Sequence, residues 1–121
     1  MNFQVIKNEN IVTIVTLSDK LTNILASEFR ETFEKLINEG DRYFIIDLTH
    51  VEYMDSSGLG AIIAANNMLK DNLTKTGDKG KIVISNINAR VKTIFSIFHM
   101  EIVLEFFNTR EDAIKYLSEN E

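Results

Sequence analysis

The sequence predicts a single α/β domain with a mixed β-sheet and about four α-helices. One observation is a pair of strand-like segments near the N-terminus separated by a polar turn, which is typical of a β-hairpin. Another is that short β-branched runs then alternate with segments of helical periodicity. Such alternation is typical of partly parallel sheets whose strands are joined by crossover helices. The predicted order is β-β-α-β-α-β-α-β-α, within one domain over residues 1–121.

The predicted hairpin occupies residues 3–17. Apolar and polar side chains alternate in residues 3–7, residues 8–10 are polar, and residues 11–17 are rich in β-branched side chains. Alternation and β-branching both favour strands, and a short polar stretch between them favours a tight turn. The polar residues 18–20 then end the second strand.

The other elements are predicted from the spacing of apolar residues. Helical spacing predicts helices at residues 25–38, 58–70 and 89–98, and a last helix capped by Thr109. Compact apolar runs predict strands at residues 43–48, 81–85 and 102–107. Residues 71–81 contain two glycines and five charged residues, which predicts a loop. We expect Phe95, Phe98 and Met100 to pack in the core.

Composition narrows the possible functions. The chain has 13 basic and 18 acidic residues and a formal net charge of −5, which argues against nucleic-acid binding and suits a protein partner. It has no cysteine, and its two histidines, His50 and His99, are far apart, so neither a metal site nor a cofactor is expected. The start of the chain lacks a signal-peptide pattern, and no apolar run approaches the ~20 residues of a membrane span. We therefore expect a cytoplasmic protein without direct membrane insertion.

The most informative segment is Asp55-Ser56-Ser57-Gly58, which precedes a predicted helix. Aspartate or serine at this position caps a helix by accepting hydrogen bonds from its free amides, and capping alone accounts for the pattern. The same position also favours a phosphate, because the N-terminus of a helix carries partial positive charge. A phosphoserine beside Asp55 would repel a docked partner while leaving the domain folded. The spacing alone does not distinguish a structural helix cap from a phosphorylation site.

Known catalytic and nucleotide-binding motifs do not fit this segment. A serine-hydrolase elbow requires glycine two residues before the serine, and Met54 stands there instead. The dinucleotide-binding fingerprint Gly-x-Gly-x-x-Gly is absent, because Ile63 stands where the third glycine would follow Gly58 and Gly60. No Walker A sequence is present either. We expect no enzyme activity, although Ser56 or Ser57 as a nucleophile is kept as an alternative.

The stretch from Asp47-Leu48 to Met54-Asp55-Ser56-Ser57-Gly58-Leu59-Gly60 resembles the signature of STAS domains, and within them the bacterial anti-sigma-factor antagonists. The resemblance implies a protein that binds an anti-sigma factor and thereby frees a sigma factor. The implied anti-sigma factor is a serine kinase of the GHKL type that uses ATP and Mg²⁺. A PP2C-type phosphatase is the second implied partner, and the chain itself would perform no chemistry.

The resemblance also implies roles for individual residues. Ser56 would be the phosphorylated residue, and Asp55 would help to present it. Gly58 and Gly60 would allow the partner backbone to approach closely. The residues expected to contact the partner are Asp55, Ser56, Ser57, Gly58, Leu59, Gly60, Asp19 and Thr22.

One turn departs from the family pattern. Family members usually carry Gly-Glu/Asp-Leu/Ile-Asp after the second strand, whereas this chain has Asp19-Lys20-Leu21-Thr22 there. Leu25 also stands where a threonine or asparagine is expected. An alternative function is therefore a STAS scaffold or a subunit of a transport complex, which binds proteins without being phosphorylated.

Overall fold

The computed structural model describes residues 2–120 and contains a central sheet of five strands. Their order across the sheet is β1 (Phe3–Asn8), β2 (Ile11–Thr16), β4 (Tyr43–Asp47), β6 (Lys81–Ser85) and β7 (Glu105–Phe107). β1 and β2 form the predicted antiparallel hairpin, and the other neighbours are parallel. The prediction of a mixed α/β sheet is confirmed.

A second, very small sheet lies outside the central one. It pairs β3 (Lys20–Leu21) with β5 (Tyr53–Met54) in parallel, so that Lys20 faces Tyr53 and Leu21 faces Met54. Neither strand was predicted, because two residues are too few to show an apolar period.

Four helices follow the predicted order. They are α1 (Asn23–Asn38), α2 (Ser56–Thr76), α3 (Ala89–Ile97) and α4 (Arg110–Glu119). No helix within residues 2–120 is both long and apolar enough to cross a bilayer.

The two faces of the central sheet carry separate apolar clusters. Because side chains alternate along a strand, Phe44 and Ile46 point to one face while Ile45 points to the other. The first face packs against α1, α2 and α3, and its core includes the aromatic rings of Phe29, Phe33 and Phe44. The second face packs against Ala113 and Leu117 of α4. The main core is therefore on the side of α1, α2 and α3.

Three predicted details are wrong. α2 continues through Thr76 and is capped by Gly77 in the left-handed conformation, φ 79°, so most of the predicted loop at residues 71–81 is helical. The last strand begins at Glu105, because residues 100–102 form a 3₁₀ turn after His99, which has a φ of 56°. Phe98 is 52% exposed because α3 ends at Ile97, whereas Phe95 is buried.

Candidate functional site

The candidate site lies where the linker after β4, residues 48–55, meets the start of α2. Three apolar side chains of this linker, Leu48, Val51 and Met54, are buried and fix its course. Asp19 accepts hydrogen bonds at its backbone oxygen from the amides of Glu52 and Tyr53, at 2.8 and 3.0 Å. These contacts hold the linker against the β3 segment, so the start of α2 has a defined position.

A buried carboxylate anchors the first part of the linker. Asp47, at the end of β4, is only 1% exposed. Its Oδ1 accepts hydrogen bonds from the amide and the hydroxyl of Thr49. Its Oδ2 accepts from Nε and Nη2 of Arg110, the first residue of α4, at 3.0 and 2.8 Å. Charge neutralisation by Arg110 compensates the burial of this carboxylate and connects α4 to the linker.

Asp55 is the N-cap residue of α2. Its Oδ1 accepts hydrogen bonds from the amides of Ser57 and Gly58, at 2.9 and 3.2 Å. The capping interpretation of the Asp-Ser-Ser-Gly sequence is therefore confirmed, and it satisfies amides that the helix cannot pair internally.

The two serines have different surroundings. Ser56 is the first residue of α2 and is exposed. Its hydroxyl makes no hydrogen bond within residues 2–120. Ser57 is half-buried, and its Oγ donates to Oδ1 of Asn23, the first residue of α1, at 3.2 Å. Only Ser56 therefore presents a free hydroxyl to a protein that docks at this end of α2.

Gly58 is required by the packing of this chain itself. A Cβ atom at this position would lie 2.3 Å from the Leu21 carbonyl oxygen and 2.8 Å from Cγ of Met54. The close approach that we expected Gly58 to allow toward a partner is thus made by Leu21 of β3. Leu59 is also buried, at 3% exposure. Gly58 and Leu59 therefore pack in the interior, beneath the exposed residues of the site. Gly60 is half-buried, with Nη2 of Arg30 at 3.3 Å from the position of its missing Cβ.

Asp19 and Thr22 lie beside the serine segment, as the family resemblance implies. They flank β3, which pairs with β5 directly before Asp55. Asp19 is exposed, and Thr22 is the half-buried N-cap residue of α1, with no capping bond from its own side chain. The structure therefore brings both predicted segments to one surface. The roles of their residues in partner binding stay predictions.

Sequence reasoning missed Asn23, Ile24 and Arg30, which lie on α1 across from the serines. Together with Ser57 they line a shallow notch between α1 and α2. Ile24 is 76% exposed. No motif marks these residues, and their position follows only from the packing of α1 against α2.

The structure offers little for metal or acid–base chemistry at this surface. Residues 2–120 contain no group of three or more His, Asp or Glu side chains arranged to hold a metal ion. His50 is exposed in the linker, and His99 is exposed beyond the end of α3. Neither donates to or accepts from Ser56 or Ser57 within the described residues.

The profile of the STAS domain family matches residues 2–113. The chain belongs to the STAS domain family. Solved structures with the same fold include an anti-sigma factor antagonist candidate from Thermotoga maritima. It is 21% identical over 94% of this chain and 92% of that chain, with a TM-score of 0.79.

Two further structures show the range of proteins with this fold. Bacillus SpoIIAA in its phosphorylated form is 20% identical over 95% of this chain and 98% of its own, with a TM-score of 0.73. A sulfate transporter family protein from Wolinella succinogenes is 16% identical over 92% of this chain and 87% of its own, with a TM-score of 0.69. At these identities the likeness establishes the fold.

Proposed function

We propose that this STAS domain is an anti-sigma-factor antagonist whose binding to its partner is switched off by phosphorylation of Ser56. The unphosphorylated form would bind an anti-sigma factor that is also a GHKL-type serine kinase, and so release a sigma factor. A PP2C-type phosphatase would restore that form. The observation that carries the proposal is that the Ser56 hydroxyl, at the first position of α2, is exposed and makes no hydrogen bond among the residues that the structure describes.

The local contacts fit a residue that is modified without disturbing the domain. The Asp55 cap already satisfies the amides of Ser57 and Gly58, so the helix does not depend on Ser56 for its start. A phosphoryl group on Ser56 would be accommodated at the exposed start of the helix, where the partial positive charge of the helix N-terminus stabilises it. It would, however, place two negative charges in any interface formed there. We expect phosphorylation to weaken partner binding at least about tenfold, or roughly 1.4 kcal/mol.

The chain acts as a substrate and a ligand in this proposal. The surface that would meet the partner contains Asp19, Thr22, Asp55, Ser56, Ser57 and Gly60, with Gly58 and Leu59 holding it from inside. The similarity to SpoIIAA, solved in a phosphorylated form, supports this assignment.

The deciding experiment is intact-mass analysis with site mapping after incubation with ATP, Mg²⁺ and a GHKL-type kinase from the same cell. We expect a gain of one phosphate in the wild type and in Ser57→Ala, and no gain in Ser56→Ala. Ser57→Ala is the matched control because it removes a neighbouring hydroxyl that is already hydrogen-bonded to Asn23. An unmodified wild type, with a kinase that phosphorylates another STAS protein, would contradict the proposal.

A second candidate is a subunit of a transport or scaffold complex that works without phosphorylation. The fold shared with the Wolinella succinogenes transporter family protein favours it. The Asp19-Lys20 turn, which departs from the antagonist pattern, favours it as well. Pull-down of the tagged chain from its own cell separates the two: a GHKL kinase supports the antagonist, and a transporter or a large STAS scaffold supports this alternative.

A further inference from the structure

The notch between α1 and α2 contains an unpaired cation next to the serines. The notch has a volume of about 400 Å³. Arg30 lies on its α1 side and is exposed. Within residues 2–120 its guanidinium makes neither an ion pair nor a hydrogen bond, whereas Arg42 and Arg110 are both engaged with carboxylates.

The position of Arg30 follows from the absence of a side chain at Gly60. Nη2 of Arg30 lies 3.3 Å from the place where a Cβ of residue 60 would be. Residues three and four apart on a helix have Cβ atoms about 5–6 Å from each other, so Gly60 lies one turn below Ser57 and Ser56. Ser57 lines the notch with Arg30, and Ser56 precedes it at the start of α2. The guanidinium thus lies beside Gly60, the position one turn along the helix from the two serines. The Arg30 side chain can occupy this position because Gly60 has no side chain to block it.

We propose that Arg30 is the internal counter-ion of phosphorylated Ser56, and that the resulting pair ties α1 to α2 across the notch. A guanidinium forms two parallel hydrogen bonds with phosphate oxygens, a geometry that a single ammonium does not offer. Phosphorylation would then do more than add negative charge at the surface. It would also withdraw a free cation from the surface that meets the partner.

Other charges near the site do not supply this role. Asp55 is acidic and repels a phosphate, and its carboxylate is occupied by the helix cap. Glu31 and Glu34 on α1 are acidic as well. Lys20 lies on β3 opposite Tyr53 and does not bridge α1 and α2. Among the described residues that line the notch, Arg30 alone carries a positive charge.

The inference rests on the proposed function for its biological meaning, but its test does not require a kinase. Phosphoserine is incorporated at position 56 during synthesis of the full chain, and its pKa is measured by ³¹P NMR titration. A neighbouring cation stabilises the dianion, so the wild-type chain should titrate at lower pH than Arg30→Gln. We expect the phosphoserine pKa to rise by about 0.5 in Arg30→Gln, as for a partly exposed pair.

Two control variants sharpen the result. Lys70→Gln removes the same charge from α2 about 20 Å away, beyond the screening length at physiological salt, and should leave the pKa unchanged. Arg30→Lys keeps the charge and should recover part of the difference. Because Arg30 is exposed, these variants are expected to fold, which the amide NMR spectrum checks.

Equal phosphoserine pKa values in the wild type and Arg30→Gln would overturn the inference. So would a change of the same size in Lys70→Gln, which would reduce it to an effect of net charge. If the pairing is observed but no kinase modifies Ser56, the inference stands and the proposed function fails. If a kinase modifies Ser56 but the pKa does not depend on Arg30, the proposed function stands and this inference fails.

Discussion

Within residues 2–120, the face of the central sheet beneath α1, α2 and α3 buries 24 apolar residues in one cluster, whereas the face beneath α4 buries five. The larger cluster is held by packing, including the rings of Phe29, Phe33 and Phe44. The smaller one is flanked by polar contacts, among them Arg110 with Asp47 and Lys81 with Glu105. Apolar burial therefore fixes most of the fold, while α4, with its smaller cluster, is held in addition by the ion pair of Arg110 with Asp47.

The largest expected effect comes from removing a ring from the larger cluster. Phe33 is 0% exposed, and its centroid is 4.3 Å from that of Phe44. Phe33→Ala should lower the free energy of unfolding by about 3–5 kcal/mol, measured by urea denaturation. Leu117→Ala, the matching truncation on the α4 face, should cost about 2–3 kcal/mol because the cavity there lies nearer the surface. A larger loss for Leu117→Ala would contradict the comparison.

The next effect tests the ion pair that joins α4 to the linker. Arg110→Met leaves the Asp47 carboxylate buried without its cation and should cost about 2–3 kcal/mol, less than in a dry interior because Arg110 is 34% exposed. The double variant Asp47→Asn with Arg110→Met should recover part of this loss, since no buried charge remains. A double-mutant cycle in urea measures the coupling. Additive losses would show that the two side chains do not stabilise one another.

The smallest effect concerns the exposed contacts of β6 and β7 with α4. Hydrogen bonds from Lys81 and then Tyr116 lower the pKa of Glu105 from its usual value of 4.5. A lowered pKa in the folded state stabilises the fold above pH 4.5, and this contribution is lost as pH falls through the lowered value. Glu105→Gln should therefore cost about 0.5 kcal/mol at pH 7, and this cost should shrink as the pH falls below 4.5.

The control for this pH dependence is Glu101→Gln, which removes an exposed carboxylate that has no ion pair within residues 2–120. Its free energy of unfolding should track that of the wild type from pH 3 to pH 7. If Glu105→Gln lost the same stability at both ends of that range, the Lys81–Glu105 contact would not explain the loss.

The spacing and clustering of apolar residues predict the elements that contain enough such residues to show a pattern. The five strands of the central sheet and the four helices were identified because each displays at least one face to a core. The sequence also predicts a helix cap within Asp55-Ser56-Ser57-Gly58, and Asp55 supplies it through amides two and three residues away. What the sequence predicts well is therefore what short-range contacts determine.

Features that depend on distant segments were missed. The pairing of Lys20-Leu21 with Tyr53-Met54 joins residues 33 positions apart, and Gly58 is needed because Leu21 and Met54 of these two strands lie against it. The sequence predicts too early an end for α2, because the charged residues there have the composition of a loop, although they lie on an exposed helix capped by Gly77. Arg30 entered the site only through the packing of α1 on α2.

The length of α2 has a practical consequence when combined with the lack of cysteine. The helix has 21 residues, which places residues 77–80 about 30 Å from Ser56. Lys79 is exposed in that turn, so Lys79→Cys would give the chain a single thiol. A fluorophore attached there would report on tumbling and on complex formation by anisotropy, at a distance that keeps the dye away from any protein docked over the serines.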